Sequence, residues 1–303
     1  MPEAPEPPAL HRPDGSLRRG DDPVVLGPAE AGWRFAGLRV ISLRPGETRE
    51  LVTGTREMAV LPLAGSCVVE CEGRRFALKG RTSIFHRVTD FAYVPIDAEV
   101  RIASPGGGEF ALLSAEASRR LDPAYGPAED VPVEVRGAGR ATRQITNFLE
   151  PSAFPADRLM AVEVLTPAGN WSSYPPHKHD EENPACGELP LEEIYYFRVR
   201  DPRTGRAGGR GFAFHRTYDL RRGFDVSAAV ADGDVFVVPS GYHGPSVAGP
   251  DHDLYYLNVL AGPSEERRMA FCDDPAHAWV RASWEGVAPD PRVPMTTWKE
   301  GTP

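Results

Sequence analysis

Short runs rich in β-branched and aromatic residues recur along the chain, and each stops at Gly, Pro, Asp or Asn. Examples are EMAVLPLAGSCVVECEG, FALKGRTSIF, FAYVPIDAEVRIAS, LMAVEVLTPAGNWSSYP, LEEIYYFRV, DVFVVPSGYH and DLYYLNVLAGP. Such runs suit a pleated, half-buried surface, and long helical periodicity is nearly absent. With 30 Gly and 31 Pro spread over 303 residues, the pattern predicts an all-β sandwich or barrel.

The two halves read as weak copies of each other. LPLAGSCVVECEGRRFALKGRTSIFHRVTDFAYVPIDAEVRI in the first is matched by EEIYYFRV, VADGDVFVVPSGYH and DLYYLNVLAG in the second. Each half leads through a Gly-containing turn to a strand ending in a Val-Pro step, Val94-Pro95 and Val238-Pro239. A tandem duplication of one β-barrel follows, with its seam near LDPAYGPAEDVPVE at 121–134, where Pro, Gly and acidic residues cluster. The expected division is a flexible segment 1–22, a first barrel 23–131, a second barrel 132–285 and a tail 286–303. The two ends are assigned as extended or poorly ordered from their Pro-rich, polar composition.

Acidic side chains outnumber basic ones, 43 to 34, for a formal charge of -9. That balance excludes a general nucleic-acid binder, and an anionic substrate would need a local basic site. No run resembles a secretory signal or reaches the roughly 18 apolar residues of a membrane span. A cytoplasmic protein without a membrane partner is expected. Four cysteines do not make a disulfide framework. Cys67 and Cys71, four apart in a strand, lie about 13 Å apart and read as buried free thiols. Cys186 sits in a polar loop, where a role as metal ligand is the minor alternative.

The stretch SSYPPHKHD, residues 172–180, places His177 and His179 one residue apart behind two prolines. In a strand both imidazoles point to one face while Lys178 points away, which makes half of a metal site. A carboxylate then heads the strand LEEIYYF, and DGDVFVVPSGYH presents His243 after a Gly-shaped turn. Glu192 and Glu193 are adjacent, so only one faces inward. The first half has no such histidine pair, and its His86 reads as structural. His252 reads as a surface residue, and nothing local makes His277 a ligand.

The order HxH, Glu before a strand, then GD-x4-P-x-G-x-H resembles the two motifs of the cupin superfamily, which hold a divalent metal with three His and one Glu. The spacing departs from the usual form: DEENPACGELPLE, residues 180–192, separates His179 from Glu193 and must bulge out as a loop, and the PSGYH turn is one residue short. SSYPPHKHD, LEEIYYFR, DGDVFVVPSGYH, DLYYLNVLAGP and DPAHAWV together are similar to the 5-deoxy-glucuronate isomerases of myo-inositol catabolism, bicupins related to a uronate ketol-isomerase of pectin breakdown. The likeness is dense over 160–282 and fainter over 30–150. GFAFHRTY carries His215 where that family is expected to have glutamine, and DLRRGFD at 219–225 replaces an acidic stretch.

The resemblance implies a bicupin, two tandem cupin β-barrels of jelly-roll type with the first barrel metal-free, and an intramolecular aldose-ketose isomerase. Its metal ligands would be His177, His179, Glu193 and His243. It implies one divalent metal per chain, Zn ahead of Mn, Fe, Co or Ni, a small-molecule uronate as substrate, and a homo-oligomer. Arg198 and Arg216 are the candidates for the substrate carboxylate. Tyr174, Tyr242 and one of Tyr255 and Tyr256 are candidates for its hydroxyls. The catalytic candidates beyond the metal site are Tyr195, Tyr256 and His215, with no base assigned. The alternatives are an Fe-dependent cupin dioxygenase, a related uronate ketol-isomerase and a non-catalytic sugar-binding bicupin, because one fold hosts many chemistries.

Overall fold

The computed structural model describes residues 9–299. Among them the only α-helix is Pro28–Ala31, and strands form two barrels packed side by side. The first is one nine-stranded sheet built from strands between Val24 and Gly126. Its spine is the 16-residue strand Arg56–Cys71, which pairs with Phe91–Val94 and Gly108–Glu116 along one half and with Arg74–Arg81 and Glu99–Ser104 along the other. Bulges at Pro62/Ala64 and Gly65/Cys67 turn it from one wall into the next. Gly65 is required there: φ is 91°, and a Cβ would sit 2.5 Å from the Gly107 carbonyl oxygen.

The second barrel has two facing sheets. Seven strands run in the order His11–Arg12, Val235–Val238, Glu192–Val199, Leu254–Ala261, Met160–Thr166, Arg143–Leu149, Val133–Arg136. The opposing sheet contains Phe224–Ala231, Phe212–Asp219, Tyr242–Ala248, His177–Lys178 and Cys272–Asp273, with Trp171–Ser172 beside Tyr242–Ala248. Leu254–Ala261 is buried at every position. One of its faces lines the second barrel, and the other lies against Ala36–Leu43 and Gly108–Glu116 of the first. Strands covered on both sides read as continuous apolar runs, which is why this sequence shows so little alternation.

Two cores result. Ile41, Val60, Val69, Ile102, Phe110 and Leu112 fill the first barrel. A larger cluster runs from Leu38, Leu61 and Leu113 of the first barrel to Ile194, Leu257 and Val259 of the second. Within this interface Arg81 and Glu163, both buried, form an ion pair, and the Tyr255 hydroxyl donates to Glu163 at 2.7 Å. Two glutamates add a reciprocal tie. Glu57 accepts the backbone N–H groups of Asp157, Arg158 and Leu159 at 2.6–2.8 Å. Glu192 accepts those of Arg34, Phe35 and Ala36 at 2.7–2.8 Å.

The ends depart from expectation. Residues 1–8 and 300–303 lie outside the described residues, but from Leu10 onward the segment expected to be flexible is packed. His11–Arg12 caps the seven-stranded sheet beside Phe236 and Val235, the His11 Nε2 meets Asp234 at 2.7 Å, and Leu10 and Leu17 are buried. Covering a sheet edge is the physical gain, and composition alone does not reveal it. The expected tail is likewise held: the Gln144 side chain accepts from the backbone N–H groups of Met295 and Thr296, and Val293 is buried.

A fragment of residues 132–303 is expected to be insoluble or to lack a cooperative unfolding transition. It loses Arg81, leaves Glu163 buried and unpaired, and bares the Ile194, Leu257 and Val259 face. A soluble fragment with a sharp thermal transition and native near-ultraviolet circular dichroism would show that the second barrel stands alone.

Candidate metal centre

Register brings the motif residues together. His177 lies directly opposite His243 on the neighbouring antiparallel strand, and Glu193 is opposite Val238 and Leu260. Along Glu192–Val199, Glu193, Tyr195 and Phe197 point into the second barrel, while Glu192, Ile194, Tyr196 and Arg198 point to the first. The Lys178 ammonium, on the far side of its strand, binds Asp180 at 2.8 Å, Glu181 at 2.6 Å and Glu188 at 2.9 Å. Asp180 in turn accepts the backbone N–H of Gly241 at 2.7 Å. This network fastens the HxH strand to the inserted loop and to the turn that presents His243.

The His179 Nε2 is 2.9 Å and the His243 Nε2 3.0 Å from the same oxygen, Oε2 of Glu193. One ligand atom from each of these three residues lies within 4.8 Å of the others. The His177 ring, half-buried, is centred 4.4 Å from that of His243 and 6.5 Å from that of His179. Nδ1 of His179 donates to the Leu191 carbonyl at 3.0 Å, which leaves Nε2 facing Glu193. Nδ1 of His177 is 3.2 Å from the Pro175 carbonyl. The other Glu193 oxygen accepts from the Asn258 amide.

His243 supplies the sharpest test of what this centre is built for. It is fully buried, yet its Nδ1 has no partner, its Nε2 meets only the Glu193 carboxylate and without a well-formed hydrogen bond, and Oδ1 of Asn258 has none. Buried polar atoms left unsatisfied cost about 1–3 kcal/mol each, and they cluster around one carboxylate. Two imidazoles and a carboxylate converging in this way, with the His177 ring beside that of His243, fit a first-row divalent ion. Burial opposes ionisation of Glu193, but the adjacent His243 and His179 outweigh it and hold the carboxyl far below its usual range. Burial also opposes protonation of His179, and the Glu193 hydrogen bond reverses the balance. His177 has no such partner, and burial together with His243 pushes it well down, towards the neutral form that ligates metal.

A cavity of about 360 Å³ opens on these groups. Leu191, Leu260, Met269 and Phe271 give it an apolar wall, and Glu134, Arg136, Asn147 and Glu150 form its polar side. In the first barrel Met58 faces Val94 as Glu193 faces Val238, so a thioether stands where the carboxylate would be. Among the described residues no cluster of three His, Cys, Asp or Glu suited to a cation lies in that barrel.

Several candidate residues sit elsewhere. Arg198 is consumed in the interface, paired with Glu109 at 2.6 Å and Asp232 at 2.9 Å. Arg216 points outward and pairs with Asp225 on the adjacent strand at 2.6 Å. Neither lines the cavity, and alternation is the reason: Arg198 is five residues from Glu193 and Arg216 is next to the inward His215. Tyr174 packs against the rings of Trp171 and His277, and Tyr242 against Tyr218 on the outer surface. Neither borders the cavity. Of the tyrosine pair, Tyr256 turns inward against Tyr195 and Tyr255 outward to Glu163.

The three catalytic candidates lie behind the centre and not on the cavity wall. His215 is held by the hydroxyls of Ser246 at 2.8 Å and Thr217 at 3.1 Å, and burial lowers its pKa to about 3. Burial pushes the Tyr195 hydroxyl well above 10 and that of Tyr256 to about 12. All three are neutral braces near neutral pH. Glu192, the member of the pair that faces away from the centre, ties the barrels together. Cys186 and Cys272 are joined as a disulfide with a Cα separation of 5.7 Å, which corrects the reading of Cys186 as a free thiol or ligand. Cys67 and Cys71 are free and buried.

Sequence reasoning missed Asn258, Arg136 and Lys178. Asn258 had a signal: it is the one amide in the apolar run LYYLNVLA, two residues from Tyr256. Asn258→Leu is expected to weaken metal binding 10–100-fold, the usual effect of losing a group that orients a ligand. Competition with a chelator measures it, and unchanged affinity would remove Asn258 from the centre.

A KduI/IolB family model matches residues 10–280. A 5-deoxy-glucuronate isomerase of Geobacillus kaustophilus is 37% identical over 273 residues, covering 89% of this chain and 95% of the relative. The 5-deoxy-glucuronate isomerase of Bacillus subtilis (strain 168) is 36% identical, covering 81% and 88%. The crystal structure of an IolB-like protein from Salmonella typhimurium LT2 superposes with a TM-score of 0.81 at 34% identity, covering 90% of this chain and 99% of that one. At 15% identity, an oxalate decarboxylase of Lactobacillus farciminis shares the fold alone, with a TM-score of 0.62 over 87% and 88% of the two chains. The expected tandem pair of cupin barrels is thus the architecture observed, and the chain belongs to the KduI/IolB family.

Proposed function

We propose that the chain is a 5-deoxy-glucuronate isomerase that converts 5-deoxy-D-glucuronate to 5-dehydro-2-deoxy-D-gluconate, an aldose to its ketose. The observation that carries this reading is a cavity floored by His177, His179 and Glu193, with His243 against Glu193 beside them, in a chain matched almost end to end by relatives bearing that name. His177, His179, Glu193 and His243 would hold one divalent ion, with Zn as the first choice among Zn, Mn, Fe, Co and Ni. Such an ion, when bound, supplies Lewis-acid polarisation of a carbonyl oxygen. A fold neighbour, the Bacillus subtilis oxalate decarboxylase, is described as having Mn(II) centres.

The chain's own residues do the rest. Asn258 fixes the Glu193 carboxylate from behind. The apolar wall of Leu260, Met269 and Phe271 limits water beside the reacting carbons. Tyr195, bonded to Ser173 at 3.1 Å, holds that serine in place and stays protonated throughout the neutral range. The aldose-to-ketose change moves a hydrogen from C2 to C1 and needs no oxidant. A cytoplasmic site of action and assembly as a homo-oligomer are part of this proposal and rest on the sequence reading. No helix among the described residues is long and apolar enough to cross a membrane.

The test is ketose formation from 5-deoxy-D-glucuronate by the purified protein under anaerobic conditions, with elemental analysis of the same sample. Turnover without oxygen at about one metal per chain supports the isomerase and removes the dioxygenase. Metal without turnover sinks the isomerase and directs attention to other uronates and to oxygen-dependent substrates.

A further inference from the structure

The cavity has a polar side, with one arginine, that the proposed metal ligands do not use. Val133–Arg136 is the edge strand of the seven-stranded sheet, and Arg136 is the Cα partner of Arg143 on the next strand. Arg136 is the only Arg or Lys on the cavity wall. Its Nε and Nη2 bind the Glu134 carboxylate at 2.8 and 2.7 Å, and its Nη1 has no hydrogen-bond partner among the described residues. Glu150, the other carboxylate on that side, is turned to the backbone and hydroxyl of Ser152.

Arg143 is the more unusual group. It is 5% exposed, its Nε is buried without a partner, and its hydrogen bond runs to the Ala141 carbonyl. No ion pair involves it among the described residues, and the Trp284 ring covers it at 5.9 Å. Burial lowers its pKa to about 10, where it is still charged at neutral pH. A buried guanidinium without a carboxylate in ion-pair reach is a burden on the fold, and of the adjacent Arg136 and Arg143 only Arg136 touches a carboxylate, that of Glu134. An arginine pair sharing one contacting carboxylate suits an anion from outside.

The two groups share one cavity: Arg136 lines the same wall as His177, His179 and Glu193, with Glu134 within 3.5 Å of Asn147 between them. A six-carbon sugar acid carries an aldehyde at one end and a carboxylate at the other, and an arginine takes the carboxylate by charge-assisted hydrogen bonds. We infer that Arg136 receives the carboxylate of a sugar-acid substrate through its unshared edge, and that Arg143 behind it supplies the uncompensated charge that favours the acid over a neutral sugar. This inference rests on the uronate-isomerase reading and assigns its specificity determinant.

The probes are 5-deoxy-D-glucuronate and 5-deoxy-D-glucose, which differ only in carboxylate against hydroxymethyl, titrated calorimetrically into the zinc-loaded full-length protein. The native protein is expected to bind the acid roughly tenfold or more tighter than the alcohol, the effect of one charge-assisted hydrogen bond. Arg136→Met should erase that preference and Arg143→Met reduce it, with alcohol binding and metal content unchanged in both. Arg143→Met should also keep or raise the midpoint of thermal unfolding, because it deletes an unpaired buried charge. A lower midpoint with an intact preference would make Arg143 structural and overturn its part. A preference that survives Arg136→Met, or is absent from the native protein, overturns the subsite. Preference for the acid without turnover would instead sink the isomerase reading and leave the subsite standing.

Discussion

Glu193→Ala and His177→Ala proteins are expected to come off purification with the metal gone and isomerisation down by about 10³-fold or more. The estimate follows from several kcal/mol of transition-state stabilisation lost with a Lewis acid, at about 1.4 kcal/mol per tenfold. Glu193 is the hub in the structure, because His179 and His243 both approach its Oε2. Circular dichroism should remain native, since the interface and both cores are made by other residues. Elemental analysis and ketose formation are read on the same samples. Turnover that persists in both metal-free variants would sink the metal-dependent mechanism.

The second large effect is on stability. Arg81→Ala or Glu163→Ala removes one half of a buried ion pair, which costs about 3–5 kcal/mol because the remaining charge stays buried. Against a total of about 5–15 kcal/mol for a folded protein, either change should lower the urea midpoint sharply. Both residues are deeply buried, with Arg81 also donating to the Pro62 carbonyl at 2.9 Å. The double variant Arg81→Met/Glu163→Leu should recover a large share of the loss by replacing charges with apolar groups. Single variants within about 1 kcal/mol of the native protein would show that the two barrels are held by their apolar surfaces alone.

How much of this was legible depends on whether the information is local. His177, His179, Glu193 and His243 lie in motifs whose spacing and period of two carry their direction, and the structure brings His179, Glu193 and His243 together with the His177 ring beside that of His243. The same period also puts Arg198 opposite to Glu193 and Arg216 opposite to His215, so their distance from the cavity was legible in the alternation. The choice between Tyr255 and Tyr256 was not, because a strand buried on both faces has no polar side to mark. Arg136, Arg143 and the Cys186–Cys272 link depend on which strands meet, and residues 86 apart carry no local sign of each other. The packed N-terminal segment was hidden by its proline content, since two backbone pairings and two buried leucines suffice to hold it.

The exchange between Glu57 and Glu192 has a bearing on history. Each glutamate stands one residue before the position facing the Val-Pro step of its own barrel, and each grips three consecutive amides leading into a strand of the other. A contact made once in each direction is the signature of a two-fold dimer, here written into a single polypeptide. In a dimer of identical barrels, losing a ligand would strike both sites at once. Fusion frees the copies from that constraint, so that Met58 can occupy one barrel while Glu193 persists in the other.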